Sequence, residues 1–189
     1  MVARSGERGV RPPWTPELST ELMSVLAPAV GAVFAAVLES SVFTHLQVGS
    51  AQPDLVFAVG IAIAMVMGFE SGITWAFTGG IALDLLIPGR PLGSTTLALL
   101  LVTGVSLAVA RALWPPRIVF IAATVFVLAF VYQGLLLGIL ALAADVGFVG
   151  LSIGEFILVA IVDTVIAIVA VLLVRALDLR FGEPERVSW

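Results

Sequence analysis

The chain has 189 residues, of which 60% are hydrophobic and only 12% are charged, and its formal net charge is −4. An ordinary soluble domain is about half apolar and a quarter charged, so this composition is that of an integral membrane protein. Cysteine is absent, which excludes disulfides and thiolate metal sites, and no dense basic patch supports binding of nucleic acid.

Six long apolar runs predict six helices, because a helix needs about 20 apolar residues to cross the hydrocarbon core. In chain order the predicted helices cover residues 24–46, 54–68, 73–87, 93–112, 118–143 and 152–177. The second run is short, so we expect the second and third helices to be tilted or not both to span fully. The fold class is therefore a single all-α membrane domain over 22–177, with polar tails at 1–21 and 178–189.

The nine basic residues are all arginine, and they are distributed unevenly between the gaps. Eight lie before the first run, between the fourth and fifth runs, or after the sixth, whereas only Arg90 falls in a gap on the other side. Cytoplasmic segments of membrane proteins carry an excess of arginine and lysine. We therefore expect a multi-pass protein of the cytoplasmic membrane with both termini in the cytoplasm.

Three of the runs carry stripes of small residues at helical spacing, which allow close packing of helices in lipid. The stripes are Gly72, Ala76, Gly80 and Asp84 in the third run, Gly134 and Gly138 in the fifth, and Ala160, Asp163, Ala167 and Ala170 in the sixth. Internal packing of the bundle is the favoured interpretation of each stripe. The alternative is a groove that docks the transmembrane helix of a partner.

Three acids, Glu39, Asp84 and Asp163, lie within apolar runs. A charge at the bilayer centre costs about 3 kcal/mol, so such acids usually face the bundle interior, pair or take up a proton. Candidate partners of Glu39 are Ser40, Ser41, Thr44 and His45.

For Asp84 we predict one of two roles at the outer end of the third helix. Its carboxylate either pairs with Arg90 or accepts backbone N–H bonds from the turn Leu92–Ser94, and either contact would fix a hairpin. Asp54, which follows Pro53, suits the positive end of the second helix.

Catalysis has little support in the sequence. The chain has one histidine, no cysteine and no catalytic or nucleotide-binding motif, so we expect neither an enzyme nor a bound metal or cofactor.

The stretch from Glu39 to Gly104, about a third of the chain, resembles the MreD family of bacterial rod shape-determining proteins. The resemblance is carried in order by Gln52–Val56, by the glycines Gly68, Gly72, Gly79 and Gly80, by Gly80-Ile81-Ala82-Leu83-Asp84-Leu85, and by Pro91-Leu92-Gly93. It implies a six-helix fold similar to the substrate-binding components of ECF-type vitamin transporters.

The resemblance also implies a non-enzymatic scaffold of the cell-elongation complex. Such a protein docks the single-spanning MreC and supports a RodA-type glycosyltransferase and a class B penicillin-binding protein. The positions that match the family's motifs are Asp54, Asp84, Pro91 and Gly93.

Two alternatives remain open. A small-molecule-binding subunit of a vitamin transporter would share the fold but would need an outward cavity lined by polar groups. A proton-coupled transporter, suggested by Glu39 and Asp163, would need a chain of polar groups across the bundle.

Overall fold

The computed structural model describes residues 16–43, 52–88, 91–112, 117–144 and 153–181. These residues form six α-helices and one short π-helix, and no strand occurs among them. The helices are α1 (Pro16–Leu38), which continues into the π-helix Glu39–Phe43, α2 (Leu55–Met67), α3 (Phe69–Leu86), α4 (Ser94–Ala112), α5 (Ile118–Ala144) and α6 (Ile153–Phe181). The predicted all-helical class is confirmed for the described residues.

Three of the helices are long and apolar enough to cross a membrane, and they are the last three in the chain. Their apolar spans are Ser94–Ala112, Ile118–Leu142 and Ile153–Ala176, and two shorter apolar helical stretches cover Val25–Ser41 and Leu55–Met67. Large apolar side chains are exposed along these helices, for example Phe34, Val131 and Leu173. An apolar outer surface of this kind suits a helical membrane protein, whose outer residues face lipid tails.

The short helix α2 lies at the centre of the bundle. Nine of its 13 residues are buried, and it packs against all five of the other α-helices, most closely α3 and α6. On one side Phe57 stacks on Tyr132 of α5, with the ring centroids 4.8 Å apart. Because α2 is enclosed on every side, its two ends are positioned by the helices around it.

The start of the first helix and the end of the last helix differ from the prediction. Helix α1 begins at Pro16, inside the predicted N-terminal tail, and α6 continues to Phe181, beyond the predicted end at residue 177. Proline suits the first position of a helix, because its missing N–H has no partner there and its φ is already helical. Hydropathy identifies only the apolar part of a helix. The helical hydrogen bonds continue beyond it into polar residues, so the helix is longer than the apolar run.

The third helix also begins earlier than predicted. The sequence places a link over Gly68–Gly72, but only Gly68 leaves the helical path, and α3 starts at Phe69. Gly68 has a positive φ of 91°, which a residue with a side chain rarely adopts. One glycine is therefore enough to turn the chain from α2 into α3.

Candidate functional site

The carboxylate of Asp84, at the end of α3, caps the first turn of α4. Its Oδ1 atom accepts a bond from the backbone N–H of Thr95 at 2.9 Å and one from the hydroxyl of Ser94 at 3.3 Å. Its Oδ2 atom accepts bonds from the N–H groups of Gly93 at 3.0 Å and Thr96 at 3.2 Å, and from the Thr96 hydroxyl at 2.8 Å. One side chain thus satisfies five donors at the positive end of a helix, where a negative charge is stabilised.

A tight turn brings these donors to Asp84. The N–H of Ser94 donates to the carbonyl of Pro91 at 3.1 Å, and Gly93 adopts a φ of 92° at the third position of the turn. A positive φ at that position is the requirement of a type II turn, which glycine meets without steric cost. Pro91 and Gly93 therefore form the turn that presents these donors to Asp84.

Of the two roles predicted for Asp84, the described residues show the bonds to backbone N–H groups. The prediction is confirmed for Gly93, but the capped groups extend further, to Thr95 and Thr96 in the helix. The alternative partner, Arg90, lies outside the described residues. Asp84 is only 5% exposed, so its acceptor atoms are withdrawn from the surroundings of the bundle.

Two further acids, Glu39 and Asp163, converge on the start of α2. The N–H of Val56 donates to Oε2 of Glu39 at 2.8 Å, and the N–H of Asp54 donates to Oδ1 of Asp163 at 2.9 Å. Glu39 is the first residue of the π-helix that follows α1, and Asp163 lies in the middle part of α6. The two acids that the sequence leaves with uncertain partners are thus brought to the same helix terminus, next to Asp54.

This helix terminus lies deep in the bundle. Asp163 is the eleventh residue of α6, and at 1.5 Å per residue it lies about 15 Å from the start of that helix. Because Asp163 contacts the residue just before α2, that helix begins part-way along α6. Val56 and Asp163 are fully buried, and Glu39 and Asp163 supply acceptors for N–H groups at the start of α2.

One atom of this acid cluster accepts no hydrogen bond from the described residues. It is Oδ2 of Asp163, a side chain with no exposed surface. The carboxyl groups of Asp54 and Glu39 lie near it. Because Glu39 and Asp163 accept bonds from N–H groups at the positive end of α2, the cluster caps that helix.

The small-residue stripe of α3 faces other helices of the bundle. A Cβ atom built on Gly72 would lie 2.6 Å from Cβ of Ala64 in α2, and one built on Gly80 would lie 2.5 Å from Cα of Thr96 in α4. Ala76 between them is buried. The α3 stripe therefore packs internally, as the favoured interpretation predicts, and α2 and α4 occupy the face that holds Gly72, Gly80 and Asp84.

The other two stripes have opposite environments. In α6 the small residues Ala160, Ala167 and Ala170 are buried, as internal packing requires. In α5 no other part of the described chain lies within 4 Å of a Cβ atom built on either Gly134 or Gly138. Among the three stripes, only that of α5 is open in the described residues.

Sequence reasoning missed Trp75, which is central to the packing of the first three helices. Its ring lies against Gly31 of α1 and Gly60 of α2, where an added Cβ would approach it to 2.9 and 2.7 Å. Its Nε1–H donates to the carbonyl of Val56 at 2.9 Å. Glycines in two separate apolar helices were the available signal, but the sequence does not show which large side chain they accommodate.

The described residues contain no group of three histidine, cysteine, aspartate or glutamate side chains with the arrangement of a metal site. Thr44 and His45 lie outside the described residues. The sequence also predicts outer links at 48–54 and 145–150, and of these the structure describes only 52–54. No protein-family model, curated protein or solved structure matches the chain. The function is therefore argued from the two capped helix ends and the open face of α5.

Proposed function

We propose that the protein is a non-enzymatic membrane scaffold of the bacterial cell-elongation complex, similar to MreD. It docks the transmembrane helix of an MreC-type protein and, through it, supports a RodA-type glycosyltransferase and a class B penicillin-binding protein. The resemblance in sequence is strongest at Gly80–Leu85 and Pro91–Gly93. These two segments form a single hydrogen-bonded unit through Asp84, which gives the shared motif a physical reason.

The observation that carries the proposal is the open face of α5. Val127, Val131, Gly134, Gly138 and Leu142 follow one another at three- and four-residue spacing and so share one side of the helix. Leu142 is 90% exposed, and space is open beside both glycines. Glycines four residues apart let the backbone of a second helix approach closely, which is how helices associate in lipid.

A rigid bundle beneath this face is what a scaffold requires. The acid caps tie α3 to α4 and join α1 and α6 to the start of α2, and α5 packs against both α4 and α6. A partner helix docked on α5 is thus held at a fixed position relative to the other five helices. The outer links would then orient its periplasmic domain.

In the proposed topology all six helices span the membrane and both termini are cytoplasmic. Arg111, at the end of α4, and Arg117, before α5, lie at one end of the bundle. Arg175 lies near the C-terminus of α6, twelve residues beyond Asp163, and the alternating helix directions of the proposed topology put it at the same end. The concentration of arginine at that end supports its placement in the cytoplasm.

The decisive experiment compares glycines on two faces. The full chain with Gly134→Ile and Gly138→Ile is coexpressed with the MreC-type protein of the same bacterium and purified in mild detergent. We expect the double substitution to abolish copurification, because the new side chains fill the groove. Gly104→Ile is the matched control, since Gly104 lies on α4 and also has no atom within 4 Å of an added Cβ.

Retention of the partner by the α5 double variant, with Gly104→Ile also unaffected, would remove the support for docking on α5. Copurification of a small polar ligand, with no spanning partner, would instead favour the vitamin-transporter alternative.

The topology is tested independently by cysteine labelling, which has no background because the chain lacks cysteine. Ser5→Cys and Ser188→Cys are expected to react with an impermeant maleimide only after the cells are permeabilised. Ser50→Cys, in the predicted outer link, is expected to react in intact cells. Labelling of either terminus in intact cells would contradict the proposed orientation.

A further inference from the structure

A cavity of about 260 Å³ opens at the end of the bundle opposite the acid caps. It lies where α2 turns into α3 and α4 ends. Its apolar lining consists of Ala64, Met65, Phe69, Leu107 and Ala110. Gly68 and Arg111 complete the lining. The cavity is therefore almost entirely apolar, with a single charged side chain.

Small residues on two helices create this space. Gly68, at the turn, has no side chain, and nothing lies within 4 Å of a Cβ atom built on it. Ala64 contributes only a methyl group from α2 and packs closely against Gly72 of α3. Ala110 contributes only a methyl group from α4. The cavity is thus a fixed consequence of how α2, α3 and α4 pack.

The charge and the apolar lining are arranged along the direction of the helices. Arg111 is exposed in the last turn of α4, whereas Leu107, one turn earlier, is buried. Within the described residues, Arg111 takes part in no ion pair, and Glu70, at the start of α3, is exposed and does not line the cavity. A ligand entering here therefore meets a cation at the surface and apolar side chains about 5 Å deeper.

We propose that this cavity binds one anionic phospholipid, with its phosphate at Arg111 and part of one acyl chain between α2, α3 and α4. Charge complementarity selects an anionic headgroup, and the apolar lining selects a hydrocarbon chain. Pockets for small molecules are usually larger, about 300 to 1,000 Å³, and carry several polar groups that fix the ligand. A small pocket that is open on one side can hold part of an acyl chain while the rest of that acyl chain extends into the bilayer.

The test measures lipid retention by the purified full chain with native mass spectrometry. The protein is equilibrated with mixed micelles containing either dioleoyl phosphatidylglycerol or dioleoyl phosphatidylcholine. We expect one phosphatidylglycerol to bind more tightly than phosphatidylcholine. Arg111→Gln is expected to weaken phosphatidylglycerol binding about fivefold, the contribution of one arginine near an anionic headgroup. Ala110→Leu, which fills the cavity but keeps the charge, is expected to reduce the binding of both lipids.

Arg117→Gln is the matched control, because Arg117 is also exposed at this end of the bundle but does not line the cavity. Equal losses in Arg111→Gln and Arg117→Gln would show diffuse attraction to the surface and would overturn the proposal. Equal binding of the two lipids by the unmodified protein would overturn it as well. Inorganic phosphate is a probe that carries the anionic group but no acyl chain. Displacement of the lipid by millimolar phosphate would show that the acyl chain contributes nothing to binding, and this would overturn the proposal.

Discussion

Asp84 is bound to Thr96 twice, once through the backbone N–H of Thr96 at 3.2 Å and once through its hydroxyl at 2.8 Å. Both bonds end on the same carboxylate oxygen. One turn before Asp84, Gly80 lies against the backbone of Thr96. The end of α3 and the start of α4 are therefore held together by polar bonds and by a close backbone approach at one position.

Removing the carboxylate of Asp84 should destabilise the bundle strongly. Asp84→Ala leaves the N–H groups of the buried Thr95 and Thr96 without their acceptor, at a cost of about 3 kcal/mol. For a domain of this size, that loss lowers the melting temperature by about 6 to 12 °C. Thermal unfolding in detergent, followed by circular dichroism, measures the shift.

Asp84→Asn should recover only part of the loss, because an amide keeps one acceptor oxygen whereas the carboxylate uses both. Thr96→Ser, which keeps the hydroxyl, is expected to stay close to the unmodified protein. A melting temperature for Asp84→Ala within 1 or 2 °C of the unmodified protein would contradict the capping role.

Gly80→Ala should destabilise the protein although alanine is the better helix former. The added Cβ would lie 2.5 Å from Cα of Thr96, so the two helices would have to separate. Forcing an extra carbon into a packed contact costs about 1 to 3 kcal/mol. Gly104→Ala, at an open position of α4, should show no such loss in the same melting experiment. Equal effects of the two substitutions would mean that the α3–α4 contact is not constrained.

The α3–α4 hairpin was accessible to sequence reasoning because everything it needs lies within a short stretch. At most nine residues separate Asp84 from Pro91 and Gly93. The sequence pattern of an acid at a helix end, followed by a turn before the next helix, therefore indicates the cap. The caps of α2 could not be predicted in this way. Glu39 and Asp163 come from helices far apart in the chain, and an apolar sequence does not show which helices are neighbours.

Asp163 offers a test of the deep cap. Asp163→Asn keeps an acceptor oxygen for the N–H of Asp54, and it removes a buried carboxyl whose second oxygen accepts no bond from the described residues. We expect a change of less than about 1 kcal/mol for this variant. Asp163→Ala loses the acceptor and leaves a gap, so we expect a loss of about 2 to 3 kcal/mol. Comparable melting temperatures for the two variants would show that the bond to Asp54 contributes little.

Trp75 should tolerate only partial replacement. Trp75→Phe loses the bond from Nε1 to the carbonyl of Val56 and leaves part of the space beside Gly31 and Gly60 empty, at a cost of about 1 to 3 kcal/mol. Trp75→Ala should cost about 3 to 5 kcal/mol. Circular dichroism in detergent follows the unfolding of both variants. If Trp75→Phe has the same melting temperature as the unmodified protein, the indole N–H has no role in stability.

The stripes show a further limit of sequence reasoning. Gly72 and Gly134 begin patterns with the same spacing, yet the first is enclosed and the second is open. The difference depends on which helix lies beside each one, and this is decided by contacts such as those of Asp84 and Trp75. Spacing identifies a face that permits close approach but not the helix that occupies it.

The bond from Asp54 to Asp163 joins positions 109 residues apart. During synthesis, the ribosome must therefore produce four further helices before the start of α2 receives its last acceptor. Until then, the N–H group of Asp54 at the start of the short apolar helix α2 lacks this acceptor. We expect nascent chains that end before α6 to be held by the insertion machinery or degraded, which makes the arrival of the last helix the step that completes biogenesis.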